Sequence, residues 1–283
     1  MKKNAIGWAV LAVLASLMLT TAWGQDFQRS YQLAPGDRIS VSNVSGEISI
    51  TGYNGAAVTV AAFREGPDKD MVQIQDQSSP GHVSLTVQYP SSGSYKASVR
   101  FVIQVPRTSS YQFDSLKSAS GDIQVTDVTG DIMAKAASGD ITIQQVTGNV
   151  QASAASGDIK VTQVAGAVTA SAASGDITAT GIAGTVSANT ASGDVEVELT
   201  GVPGSGDMKF SSASGDVKVK APAQLNAQVE MSTASGSIKT DFPLTIEDLE
   251  PHGKKAYGQV GSGAIKLKIS TASGDVQLIR SQP

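Results

Sequence analysis

From Ile123 onward the apolar residues of this chain fall on a fixed 18-residue frame. Ile123, Ile141, Ile159, Ile177 and Val195 share one frame position, and Ala134, Ala152, Ala170 and Ala188 share another. Inside one frame, ASGDITIQQVTGNVQASA from Ala137 to Ala154, the apolar positions run Ile141, Ile143, Val146, Val150, Ala152, Ala154. Alternation with a period of two predicts half-buried strands, because successive side chains of a strand point to opposite faces. The parity breaks across Gln144-Gln145 and again across 155–158. A chain that turns corners while keeping one side on a core must break parity in this way. Each frame therefore predicts two short strands, each opened by a glycine: Gly139 begins one and Gly148, nine residues later, the other.

The turn phrase is Ala-Ser-Gly-Asp-(Ile/Val). It occurs at Gly121, Gly139, Gly157, Gly175, Gly193, Gly215 and Gly274, with an Ala-Ser-Gly-Ser version at Gly236. A fixed period of this length predicts stacked repeats. The expected fold is all-β: a single-stranded parallel β-solenoid (β-helix) of 18-residue coils. Stacked coils lie about 4.8 Å apart, and equivalent residues then form ladders along the stack. β-branched residues on one wall against alanine on the other fill a thin core. Glycine suits the corners because it accepts positive φ and close chain approach. Ser-Gly-Asp is also a hairpin turn signal, so an antiparallel meander or barrel is the competing arrangement. The constant period favours in-register stacking, and the pattern fits a coil of two faces or of three.

The rest of the chain is less regular. Residues 25–118 read as an irregular, strand-rich start of the solenoid. Residues 38–50 alternate, with Ile39, Val41, Val44, Ile48 and Ile50 as inward candidates, and Val44-Ser45-Gly46-Glu47-Ile48 is a worn turn phrase. Further strands are expected over 58–62, 72–74, 83–87 and 99–105. Residues 119–238 hold the regular repeats, loosening after Gly193, with Pro203 and Pro222 in the added segments. Residues 239–260 interrupt the pattern with Pro243, Pro251, Glu247-Asp248 and Lys254-Lys255 and read as a loop bulging from the stack. Residues 261–283 read as a C-terminal coil that caps the stack, with Ile265, Leu267, Ile269, Val276 and Leu278 turned inward.

Composition narrows the class. Lys2 and Lys3, an apolar run from Ala5 to Leu19 and a small-x-small ending at Ala22-Trp23-Gly24 form a secretory signal peptide over residues 1–24. The run is shorter than the roughly 20 residues a spanning helix needs, so no membrane span is expected after cleavage. There is no cysteine, which removes disulfides, thiol chemistry and lipid attachment at cysteine. The 25 acidic residues outnumber the 21 basic ones, two of which lie in the leader, so a nucleic-acid partner is not expected.

Candidate chemistry is sparse. The two histidines, His82 and His252, fall in presumed loops, and no His-x-x-x-His or Gly-x-Ser-x-Gly motif occurs. Glu196 and Glu198 share one face of a strand and read as a solvated pair. Asp122, Asp140, Asp158, Asp176, Asp194 and Asp216 form a column that resembles calcium-binding nonapeptide solenoids. The half-coil positions read Asp131, Asn149, Ala167 and Thr185, so the second set of oxygens such a site needs is incomplete. Each Asp is instead expected to accept backbone N–H groups at its own corner. Residues 119–200 contain no aromatic side chain to line a sugar groove, and the outward position after the first Ile/Val is no threonine ladder. No catalytic, cofactor-binding or metal-ligating residue is assigned, and no cofactor is expected.

The worn Val-Ser-Gly-Glu-Ile coil, the Val105-Pro106 dipeptide before the first regular repeat and the serial Ser-Gly-Asp-Ile turns together resemble the bacterial putative-adhesin family. The resemblance runs from Arg38 to Leu278. It implies an exported or envelope-associated β-solenoid domain of unknown function, and its motifs are structural turns that assign no binding residue. The expected role is non-enzymatic: structural, adhesin-like or interacting with an envelope or cell-surface protein or polysaccharide. The alternatives are a carbohydrate-active β-helix enzyme with a degenerate site and a calcium-dependent module. A partner site is expected in the irregular N-terminal third or at 240–258, because function concentrates in loops on a rigid scaffold.

Overall fold

The computed structural model describes residues 26–201, 204–249 and 252–281. The expected leader, Pro203 and Pro251 lie outside the described residues. Each Ser-Gly-Asp phrase carries the chain out of one sheet and into another, so every coil has two faces. The strand before the corner, such as Ile132–Ser138, joins a 13-stranded sheet, here sheet II. The strand after it, such as Ile141–Thr147, joins a 12-stranded sheet, here sheet I. Successive coils pair in parallel and in register: Ile123, Ile141, Ile159, Ile177 and Val195 are direct neighbours in sheet I. Ala134, Ala152, Ala170 and Ala188 are neighbours in sheet II. The parallel solenoid is the fold, and no closed barrel forms among the described residues.

The inward set of the Gly139 coil is as the pattern predicts: Ile141, Ile143, Val146, Val150, Ala152 and Ala154 are buried and Gln151 is exposed. The first parity break has a local cause. Gln145 adopts φ 54, and Asp127 and Gln163 repeat this left-handed step one coil away on either side. One residue in that conformation reverses the facing of those that follow.

The corner itself demands glycine. Gly139 has φ 145, and a Cβ there would lie 2.4 Å from the carbonyl oxygen of Gly121 in the coil below. The corner backbones are stacked too closely to admit any side chain.

The stack order differs from the sequence order at both ends. The Gly46 coil, Arg38–Ser45 and Ile48–Tyr53, lies between the strands His82–Gln88 and Ser98–Pro106 on one side and the Gly121 coil on the other. The final coil, Ile265–Ser273 and Val276–Arg280, is inserted between the Gly215 and Gly236 coils. The last coil in sequence is therefore not the cap expected of it, because the Gly236 coil lies beyond it.

Antiparallel strands close the ends. Val58–Glu65 and then Phe27–Tyr31 extend sheet I, and Gln73–Asp76 extends sheet II. At the far end, the segment read as a bulging loop contains a hairpin, Thr245–Asp248 with Lys254–Val260, laid antiparallel on Ala227–Ser235. Residues 254–260 pair because the exposed edge of Ala227–Ser235 offers a full row of backbone partners. Val44 is also corrected: the strand alternates without a break, so Asn43 is buried and Val44 is exposed. The Asn43 amide satisfies itself by donating to the carbonyls of Gly46 at 2.9 Å and Val99 at 2.7 Å. Inner hydroxyls in later coils solve the same problem, with Ser212 Oγ donating to Gly193 O and Thr271 Oγ1 to Gly215 O, both at 2.8 Å.

Candidate functional site

The aspartate column is committed to the stack. Each Oδ1 accepts the backbone N–H of the equivalent residue one coil on: Asp140 N to Asp122, Asp158 N to Asp140 and Asp176 N to Asp158, at 2.8–2.9 Å. The expectation that each Asp serves its own corner is corrected, because the corner amide points along the stack toward the neighbouring coil. The half-coil corner repeats the device with Asp131 and Asn149 as acceptors. Asn149 shows that an amide oxygen suffices, so negative charge is not what the position requires. Among the described residues no group of three or more His, Asp or Glu is placed to hold a metal.

Glu196 is paired rather than simply solvated. Lys220 Nζ lies 2.9 Å and Lys218 Nζ 3.5 Å from its carboxylate, across neighbouring strands of sheet I. The hydrogen bond from Lys220 chiefly holds the Glu196 carboxyl below its ordinary pKa, against the opposing effect of burial.

His82 lies in the strand His82–Gln88, not in a loop, and a trio forms around it that sequence spacing could not bring together. Ser40 Oγ donates to Asp114 Oδ1 at 2.5 Å and lies 2.7 Å from His82 Nε2. Arg38 holds the other oxygen of Asp114 at 3.6 Å. A serine nucleophile needs the histidine as its base, with the carboxylate behind the histidine. Here the serine is in the middle and gives its one proton to Asp114, so His82 Nε2 is the donor to Ser40. The trio is a surface hydrogen-bond chain across three strands. His252, the other histidine, is exposed beside Gly253 and Lys254.

A different grouping dominates the outer face of sheet II at the last coils. A hollow of about 700 Å³ is lined by Lys209, Lys266, Lys268, Gln228, Tyr257 and Gln259, among others. Register positions them. In one row across the sheet Lys209 pairs with Lys268, Lys268 with Glu230 and Glu230 with Tyr257. In the next row Asp207, Lys266, Gln228 and Gln259 follow one another. Lys255 Nζ lies 3.2 Å from Glu230, and the Tyr257 hydroxyl donates to Glu247 at 2.6 Å. The Lys266-Leu267-Lys268 alternation was the visible signal in sequence. Which strands flank it was not, because its neighbours come from other parts of the chain.

A two-sheet parallel solenoid with antiparallel caps is the class this architecture defines. The chain matches the Toastrack DUF4097 family over residues 37–279 and belongs to that family. Several solved structures are matched, among them the following two. A putative adhesin from Bacteroides fragilis NCTC 9343 is 17% identical, with 89% of this chain and 96% of that one covered and a TM-score of 0.45. A putative cell adhesion protein from Clostridium sporogenes ATCC 15579 is 11% identical, with 90% and 99% covered and a TM-score of 0.23. No curated protein matches the chain.

Proposed function

We propose that this chain is a non-enzymatic, exported β-solenoid protein that acts by binding, as an adhesin-like or structural component of the cell envelope. The observation that carries this reading is how the repeat spends its residues. The recurring Asp side chain of each Ser-Gly-Asp turn accepts a backbone N–H of the next coil, and the apolar side chains fill the core. The side chains left over stand on two flat outer faces, where strand register sets them in rows. Rows of that kind suit an extended partner more than a small substrate closed off from water. The leader pattern of residues 1–24 supports export, and the partner is an envelope or cell-surface protein or polysaccharide. Bacterial expression of the full chain followed by fractionation and N-terminal sequencing tests this. Mature protein beginning at Gln25 in the periplasmic or envelope fraction is the expected result. Uncut protein in the cytoplasm overturns it.

A further inference from the structure

We propose that the outer face of sheet II at the last coils binds an acidic polysaccharide, its carboxylates taken by Lys209, Lys266 and Lys268 and a sugar ring stacked on Tyr257. This rests on the reading of the chain as an envelope binding protein and names the ligand class.

The charge arrangement carries the argument. Lys209 and Lys268 stand directly opposite each other on neighbouring strands, about 4.8 Å apart along the stack. Lys266 stands one strand pleat away from Lys268, on the same face. Like charges placed opposite one another destabilise a sheet. Among the described residues none of the three has a carboxylate within ion-pair distance: Glu230, opposite Lys268, is held by Lys255, and Asp207, opposite Lys266, makes no ion pair. The same coil supplies an internal comparison. Lys218 and Lys220, on the outer face of sheet I, are both neutralised by Glu196. The protein therefore pairs closely spaced lysines on one face, and on the other leaves three unpaired lysines against a single unpaired carboxylate, Asp207, within a chain of net charge −4. An anionic ligand with repeated charges removes the repulsion that sheet II retains.

The neighbouring groups select the class of anion. Tyr257 is 40% exposed and is the one exposed large apolar side chain on the four strands that form this face, among the described residues. Gln228 and Gln259 set two amides beside it. An aromatic face flanked by amides matches a ring that presents C–H groups on one side and hydroxyls at its edge. A lipid surface would call for several apolar side chains among the lysines. A nucleic acid would call for a longer basic stripe.

Isothermal titration of the purified protein with polygalacturonate and with alginate tests the proposal. Neutral dextran, phosphatidylglycerol vesicles and duplex DNA form the comparison arms. Both acidic polysaccharides are expected to bind and dextran is not. The triple variant Lys209→Gln, Lys266→Gln, Lys268→Gln should bind about tenfold more weakly with an unchanged melting temperature. Tyr257→Ala should weaken binding without altering its salt dependence. Glu230→Gln, which frees Lys255, should strengthen it. Failure of both polysaccharides to bind overturns the proposal, as does equal binding by the triple variant. Binding of vesicles or DNA in their place, through the same lysines, also overturns it and reassigns the face. Envelope location is read separately: protein found in the envelope that ignores both polysaccharides refutes this ligand and leaves the binding-protein reading in place.

Discussion

The backbone N–H of Asp275 donates to Asp216 Oδ1 at 2.7 Å, although 59 residues separate them. One coil further on, Ser237 N donates to Asp275 Oδ1 at 2.8 Å. The carboxylate column thus runs from 216 to 275 and back to 237, and traces the insertion of the final coil. It also explains the turn phrase that carries Ser in place of an acid. The corner at Ser237 belongs to the coil that is last in space, with no further corner amide beyond it to accept.

A chain ended after Thr240 should lose the order of its last repeat. Ala227–Ser235 is bonded to Ile265–Ser273 on one side and Lys254–Val260 on the other, and truncation removes both. Hydrogen exchange should show amides 227–235 unprotected while those of the Gly157 coil stay protected. Full protection of 227–235 would mean that the repeat restacks on the Gly215 coil and that the insertion is dispensable.

At the aspartate column, Asp158→Asn should leave the melting temperature nearly unchanged, since Asn149 already accepts from Ala167 N at 2.9 Å. Asp158→Ala removes the acceptor of Asp176 N and should cost about 1 kcal/mol. Chelation with EDTA should not shift the wild-type melting temperature. A large shift with millimolar calcium, lost in Asp158→Asn, would make the column a metal site.

The corner is less forgiving. Gly139→Val sets a branched side chain at φ 145 and drives its Cβ against the Gly121 carbonyl. Denaturant unfolding should show a loss of roughly 2–3 kcal/mol or more. A variant as stable as wild type would mean that the corner backbones can separate freely.

Parity can be tested with one charge placed on two faces. Ile141→Asp buries a carboxylate at a position 0% exposed and should cost several kcal/mol, whereas Gln151→Asp stays in solvent and should cost under about 0.5 kcal/mol. Comparable melting temperatures for the two variants would contradict the observed facing.

The N-terminal end should be sensitive to alkali. Tyr31, in sheet I, donates its hydroxyl to Asp76 Oδ2 in sheet II at 2.8 Å, with Arg29 on the same carboxylate. Burial, and then the bond to Asp76, push the phenol up from its ordinary 10.0 to about 12. A folded pKa above the unfolded one means that the neutral phenol favours the fold. Its contribution is complete below pH 10 and is lost as pH rises from 10 toward 12. Thermal melts across that window should therefore fall more steeply for wild type than for Tyr31→Phe.

The repeating part was legible because its physics is local and periodic. Period-two alternation fixes which side of a strand is wet, an 18-residue frame sets equivalent residues in register, and a glycine recurs where no Cβ fits. These rules placed Ile141, Gln151 and Gly139 without reference to any distant residue. Tertiary structure decided what depends on partners far away in the chain. Asn43 is inward and Val44 outward because Asn43 finds carbonyls at Gly46 and Val99. Residues 254–260 form a strand because Ala227–Ser235 presents an open edge, a condition of the assembled sheet rather than of those residues. The lysine face has the same origin. Lys209 and Lys268 become neighbours only because the final coil enters between two earlier ones, and backbone pairing is indifferent to the sequence distance it spans.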